Sequence, residues 1–159
     1  MTLLDVSDLS KHFAVDDGFI SELLGQTKTL KAVDGIDFSV DEGEAFTLVG
    51  ESGCGKSTAV LSALAHQQPT GGKVRFNGRD IATYGKRELR GEAQLIYQDQ
   101  QDTLNPSMAV GEAIAEAIRF HDVVPKGQVD ERVDELLERV GISPAEKGQR
   151  PAAFSGGQK

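Results

Sequence analysis

Gly50-Glu51-Ser52-Gly53-Cys54-Gly55-Lys56-Ser57-Thr58 is the most informative segment of the chain. It fits the spacing G-x-x-x-x-G-K-[ST], and its context fits as well. Ala45–Val49 (AFTLV), immediately before it, is a continuous apolar run of the kind expected in a central strand buried on both faces. From Lys56 onward the residues are good helix formers, with Val60, Leu61 and Leu64 on one apolar face. The expected order is therefore strand, glycine-rich loop, helix.

Each part of this stretch answers a negative charge. The glycines let the backbone curl so that the N–H groups from Gly53 through Ser57 point into one concavity, where a β-phosphate would sit. The helix beginning at Lys56 adds the positive end of its dipole, the Lys56 ammonium reaches β- and γ-phosphate oxygens, and the Ser57 hydroxyl is placed to ligate Mg²⁺. Gly50, Glu51, Ser52, Gly53, Cys54, Gly55, Lys56, Ser57 and Thr58 thus form an expected P-loop for a nucleotide with Mg²⁺. The competing reading, a glycine-rich turn that binds nothing, leaves the strand-loop-helix context unexplained. Cys54 reads as a small side chain that fits the turn, with a reactive thiol as the alternative.

The 159 residues, with 38% hydrophobic content, suffice for one ordinary domain that buries roughly two-thirds of its unfolded surface. No apolar run approaches the about 20 residues of a membrane span, and MTLLDVSDLSKHF lacks the basic and apolar regions of a secretory signal. The single cysteine excludes an intramolecular disulfide, and no His/Cys cluster has metal-ligand spacing, so a reducing cytosol is the expected compartment. A formal charge of -8 without a local Lys/Arg cluster disfavours sequence-independent nucleic-acid binding.

Leu3–Leu9 reads as an edge strand and Asp16–Lys28 as a polar excursion loop. Ala32–Val40 alternates as a strand, and the turn Asp41-Glu42-Gly43-Glu44 joins it to Ala45–Val49. After Pro69-Thr70-Gly71-Gly72, Val74 and Phe76 alternate with Lys73 and Arg75 up to Asn77-Gly78, which predicts a strand entering a type I′ turn. Gln94–Tyr97 reads as a further short strand behind the charged stretch Lys86–Glu92. Beyond Pro106 the periodicity is helical, first through Val110, Ala113, Ile114, Ala117 and Ile118, then through Val129, Val133, Leu136, Leu137 and Val140, with Gly141 as the stop. Asp130, Glu131, Asp134, Glu135 and Glu138 read as the solvated face of the second helix. His66 and His121 stand alone, with no partner at catalytic spacing. The expected division is a strand-rich core over residues 1–105 and a helical subdomain over 106–159.

Three further segments resemble the ATP-binding cassette (ABC) family. Phe154-Ser155-Gly156-Gly157-Gln158 looks like the family's signature LSGGQ, with Phe in place of Leu. Gln98, in Leu95-Ile96-Tyr97-Gln98-Asp99, matches the family's Q-loop glutamine; the alternative is an ordinary exposed glutamine like Gln100 and Gln101, and Gln100 stands where the family often has Pro. Phe13, in Leu9-Ser10-Lys11-His12-Phe13, lies where the family places an aromatic that stacks on adenine, with His12 and Phe19 as competitors and a core-filling role as the bland alternative. Thr29–Gly35, the wording of Gly50–Gly55, and Leu104-Asn105-Pro106 are similar to the oligopeptide/dipeptide importer subgroup.

The resemblance implies an α/β P-loop NTPase of the ABC type with a helical subdomain, incomplete at the C-terminus. It implies ATP and Mg²⁺ as cofactors, with Ser57 and Gln98 on the metal and Ser155, Gly156, Gly157 and Gln158 facing the nucleotide of a second ATP-binding subunit. The implied function is to couple MgATP binding and hydrolysis to uptake of peptides or similar solutes. Membrane permease subunits and, indirectly, a solute-binding protein would be partners, on the cytoplasmic face of the cell membrane. The family's Walker B Asp, catalytic Glu and switch His are expected beyond Lys159. Asp41-Glu42 does not replace them, because it follows an alternating strand and precedes the P-loop. Two alternatives follow: a fragment that binds nucleotide without hydrolysing it, and a soluble ABC ATPase with no membrane partner.

Overall fold

The computed structural model describes residues 1–15, 28–97 and 103–158. Phe19, Gln98, Gln100, Gln101 and nearly all of the expected loop Asp16–Lys28 lie outside the described residues. Strands β1 (Thr2–Val15) and β2 (Lys28–Asp41) form a long antiparallel pair. After the helix α1 (Lys56–Ala63), β3 (Gly71–Phe76) and β4 (Arg79–Asp80) complete an antiparallel sheet in the order β2-β1-β3-β4. The first strand is therefore interior, which corrects its reading as an edge. Leu4 pairs with Phe76 and Val6 with Val74, a contact some 70 residues away in sequence that no local pattern announces.

Asn77 at φ 51 and Gly78 at φ 76 are both left-handed, as a type I′ turn requires, and they connect β3 to β4 as expected. The inward face of the sheet buries Val6, Leu9, Val33, Val74 and Phe76. Helix α1 packs against β1 and β2 with Ala59, Ser62 and Ala63 buried. Val60, Leu61 and Leu64 are only partly covered, so the face expected from apolar size is not the buried one. Small side chains on the inner face let the helix come close to the sheet.

Two expected strands do not form. The turn at Asp41–Glu44 closes with the Glu44 N–H donating to the Asp41 carbonyl at 3.1 Å, but Ala45–Val49 continues unpaired. Phe46 stacks on Phe38 at 5.1 Å between centroids, whereas Val49 is 90% exposed. Gln94–Tyr97 is likewise unpaired, with Ile96 exposed. A strand buried on both faces requires neighbours on both edges, and among the described residues nothing pairs with either run. The charged stretch before Gln94 instead forms the short helix α2 (Lys86–Glu92), which buries only Leu89.

The chain divides into two compact units, residues 1–89 and 90–159. In the second, α3 (Val110–Phe120) and α4 (Val129–Arg139) occur where the periodicity places them. They pack around a core of Val110, Ala115, Ile118, Val129, Val133, Leu137, Ile142 and Phe154. Gly141, at φ 75, ends α4 as expected: its N–H donates to the Glu138 carbonyl and that of Ile142 to the Leu137 carbonyl, each at 2.9 Å.

Candidate functional site

The first unit carries the glycine-rich loop. Gly55 stands at the N-cap of α1 with φ 96, a conformation open to glycine at no steric cost. A Cβ there would lie 2.1 Å from the Ala32 carbonyl oxygen and 3.8 Å from Val33 Cγ2, so the loop is pressed onto β2. In the β1–β2 register Lys31 faces His12 and Val33 faces Lys11, which puts Phe13 just beyond this point of contact.

Lys56 is held by its own loop. Its ammonium donates to the Gly50 carbonyl at 2.8 Å and the Glu51 carbonyl at 2.6 Å, with Cys54 Sγ at 3.6 Å. Cys54 is exposed, and Ser57, three residues further along the chain, is exposed too. Gly55 gives α1 no side-chain cap and, among the described residues, no carboxylate lies in its first turn. Among the described residues nothing stands within 4 Å of where Gly53 would carry a Cβ. The loop thus brings together a helix start, an open position at Gly53 and the Lys56 ammonium, a combination that suits an anion such as phosphate. Ser57, exposed in the first turn of α1, is a hydroxyl on this loop that would be available to a Mg²⁺ accompanying a polyphosphate.

Around Phe13 the side chains are engaged with one another. The Lys11 ammonium lies 4.9 Å from the Phe13 ring centroid and donates to the Gln68 carbonyl at 2.8 Å. His12, the competing candidate, is bonded through Nε2 to Asp34 Oδ1 at 3.0 Å, and Lys31 donates to Asp34 Oδ2 at 3.1 Å. Lys31 first and His12 second hold the Asp34 carboxyl below its ordinary value.

The second unit carries Phe154–Gln158. Phe154 belongs to its apolar core, and the four residues after it close on themselves. The Ser155 N–H donates to Gln158 Oε1 and the Gln158 N–H to the Ser155 carbonyl, both at 3.0 Å. Gly156 and Gly157 are exposed with open space about them. Ahead of this turn, the Lys147 ammonium donates to both carboxylate oxygens of Asp130 at 3.0 Å and to Asp134 Oδ1 at 2.8 Å. Asp134 and then Asp130 raise Lys147 above its ordinary value. Reading those two acids only as a solvated face missed this grip, since a lysine more than a dozen residues away gives no local signal. Gln98 lies outside the described residues.

The ABC transporter family model matches residues 33–159. The chain belongs to the ABC transporter family. It is 38% identical to the oligopeptide transport ATP-binding protein AppF of Bacillus subtilis, over 99% of this chain and 48% of that protein. It is 40% identical to the oligopeptide transport ATP-binding protein OppF of Salmonella typhimurium, over 98% of this chain and 48% of that protein. This ABC chain thus spans about half the length of the curated relatives it matches. Among solved structures it is similar to the ABC cassette MJ0796 in a dimeric state bound to ADP and Pi, with a TM-score of 0.74 at 20% identity over 98% of this chain and 64% of that one. The fold is accordingly the P-loop NTPase fold of ABC cassettes, as the resemblance implied. Among the described residues no helix is long and apolar enough to cross a membrane.

Proposed function

We propose that this chain is the nucleotide-holding part of the ATP-binding subunit of a peptide-type ABC importer. The observation that carries the proposal is the loop Gly50–Thr58, which joins an uncapped helix start, an open glycine position and the Lys56 ammonium. Gly53 through Ser57 would take the phosphates by backbone N–H groups, Lys56 would bridge the outer phosphates, and Ser57 with Gln98 would hold Mg²⁺. Phe13 would stack on adenine, beside the loop by the register of β1 on β2.

The named relatives support the transport assignment, and the dimeric cassette structure supports a two-subunit arrangement. In that arrangement Ser155, Gly156 and Gly157 act on the γ-phosphate held by a second ATP-binding subunit, through N–H groups and the Ser155 hydroxyl. Gln158 keeps their turn closed. Residues 1–105 form the nucleotide core and 106–159 the helical subdomain that meets the permease subunits, at the inner face of the membrane. A solute-binding protein delivers the peptide from the other side. Binding and turnover of MgATP measured on one sample test the proposal: saturable binding that Lys56→Ala removes supports it. Unchanged affinity in that variant overturns it.

A further inference from the structure

We propose that Lys147 is a positioning residue for the Ser155–Gln158 turn, fixing where that turn stands on the second unit; this rests on reading the turn as the signature that meets nucleotide. Three observations converge on Lys147. Its ammonium ties the connection after α4 to Asp130 and Asp134, two carboxylates one helical turn apart on α4. Its backbone is tied to α3, whose first-turn amides would otherwise lack partners: the Gly111 N–H donates to the Lys147 carbonyl and the Val110 N–H to the Gln149 carbonyl, each at 2.9 Å. A Cβ at Gly111 would lie 2.9 Å from both Lys147 Cβ and its carbonyl oxygen, so the missing side chain is what permits this contact.

The path from Lys147 to the turn is short and bonded along its length. The Gln149 N–H donates to the Glu146 carbonyl at 2.8 Å, that of Ala153 to Arg150 at 2.9 Å, and that of Phe154 to Pro151 at 3.1 Å. Pro151 and Phe154 are buried. A single exposed ion pair positions little. Lys147 differs because two carboxylates receive it, its side chain is only 33% exposed, and its backbone is held by a second helix. One residue therefore fixes the turn's approach to α3 and α4 together.

Hydrogen exchange read by mass spectrometry on the whole chain, without nucleotide, tests the proposal in wild type, Lys147→Met, Lys147→Arg and Gly111→Ala. Lys147→Met and Gly111→Ala should speed exchange several-fold over residues 147–158 while the core amides of α3 and α4 keep their protection. Lys147→Arg should restore most of it, since a guanidinium spans both carboxylates. Unchanged exchange over 147–158 in Lys147→Met overturns the proposal, and so does equal acceleration throughout α3 and α4, which marks a bridge that only stabilises. Adding MgATP to the wild type tests the signature reading separately: new protection over 155–158 supports it and its absence overturns that reading, whatever the nucleotide-free result.

Discussion

The carbonyl oxygen of Ala32 lies 2.1 Å from the point at which Gly55 would carry a Cβ, so loop and strand meet backbone to backbone. Gly53 has a similarly positive φ of 81 but open space around it. Gly53→Ala should cost about 1–2 kcal/mol, the left-handed strain alone. Gly55→Ala adds a clash with a carbonyl that cannot move without shifting β2, and should cost about 3 kcal/mol or more. Urea unfolding of the two variants measures the gap, and equal losses would show that the contact with Ala32 is unimportant.

Lys56→Ala removes the charged donor that the carbonyls of Gly50 and Glu51 hold and that the proposed function gives to the phosphates. A charged hydrogen bond contributes about 1.5–3 kcal/mol. MgATP affinity should therefore fall roughly ten- to hundredfold or further, as measured by calorimetry.

Phe154→Ala empties a side chain that is 7% exposed within the core of α3 and α4. Such truncations cost about 3–5 kcal/mol. Phe154→Leu, which restores the family's usual signature residue, should cost far less. Thermal melting followed by circular dichroism distinguishes the two; equal destabilisation would mean that the position demands an aromatic ring.

How much of this was legible in the sequence depended on how local each signal was. Asn77-Gly78, the two amphipathic helices, Gly141 and the P-loop spacing are fixed by residues within a turn or two of each other, and they are where the pattern puts them. Ala45–Val49 and Gln94–Tyr97 carry the composition of buried strands, but pairing is a property of neighbours, and no described residue supplies them. The interior place of β1 depended on β3, and the bridge from Lys147 to Asp130 and Asp134 on a fold already formed. Helix α2 was hidden because KRELRGE has one buried apolar residue and hence no period to read.

Asp34 gives a pH dependence with a definite sign. Lys31 and His12 depress its carboxyl below 3.8, so its contribution to stability is present above that value and is lost as pH falls through the lower folded value. Asp34→Asn should be slightly less stable than wild type at pH 5–6, and the difference should vanish in strongly acid solution. A difference constant down to the acid limit would contradict the linkage.

Exposed unpaired apolar runs are docking edges for other chains. Phe46, Val49, Ile96 and Tyr97 should make the isolated chain associate with rising concentration. Val49→Lys and Ile96→Lys should suppress light scattering without lowering the melting temperature. A monodisperse wild type at high concentration would refute this.

The two carbonyls that hold the Lys56 ammonium have a consequence for selectivity. A phosphate bound as proposed would have to take the lysine from them, so this contact would contribute only the surplus of its oxygens over the carbonyls of Gly50 and Glu51 as acceptors. A nucleoside without phosphates would offer the lysine nothing in exchange. Under the proposed function, this lysine would make the loop sensitive to the charge its ligand carries.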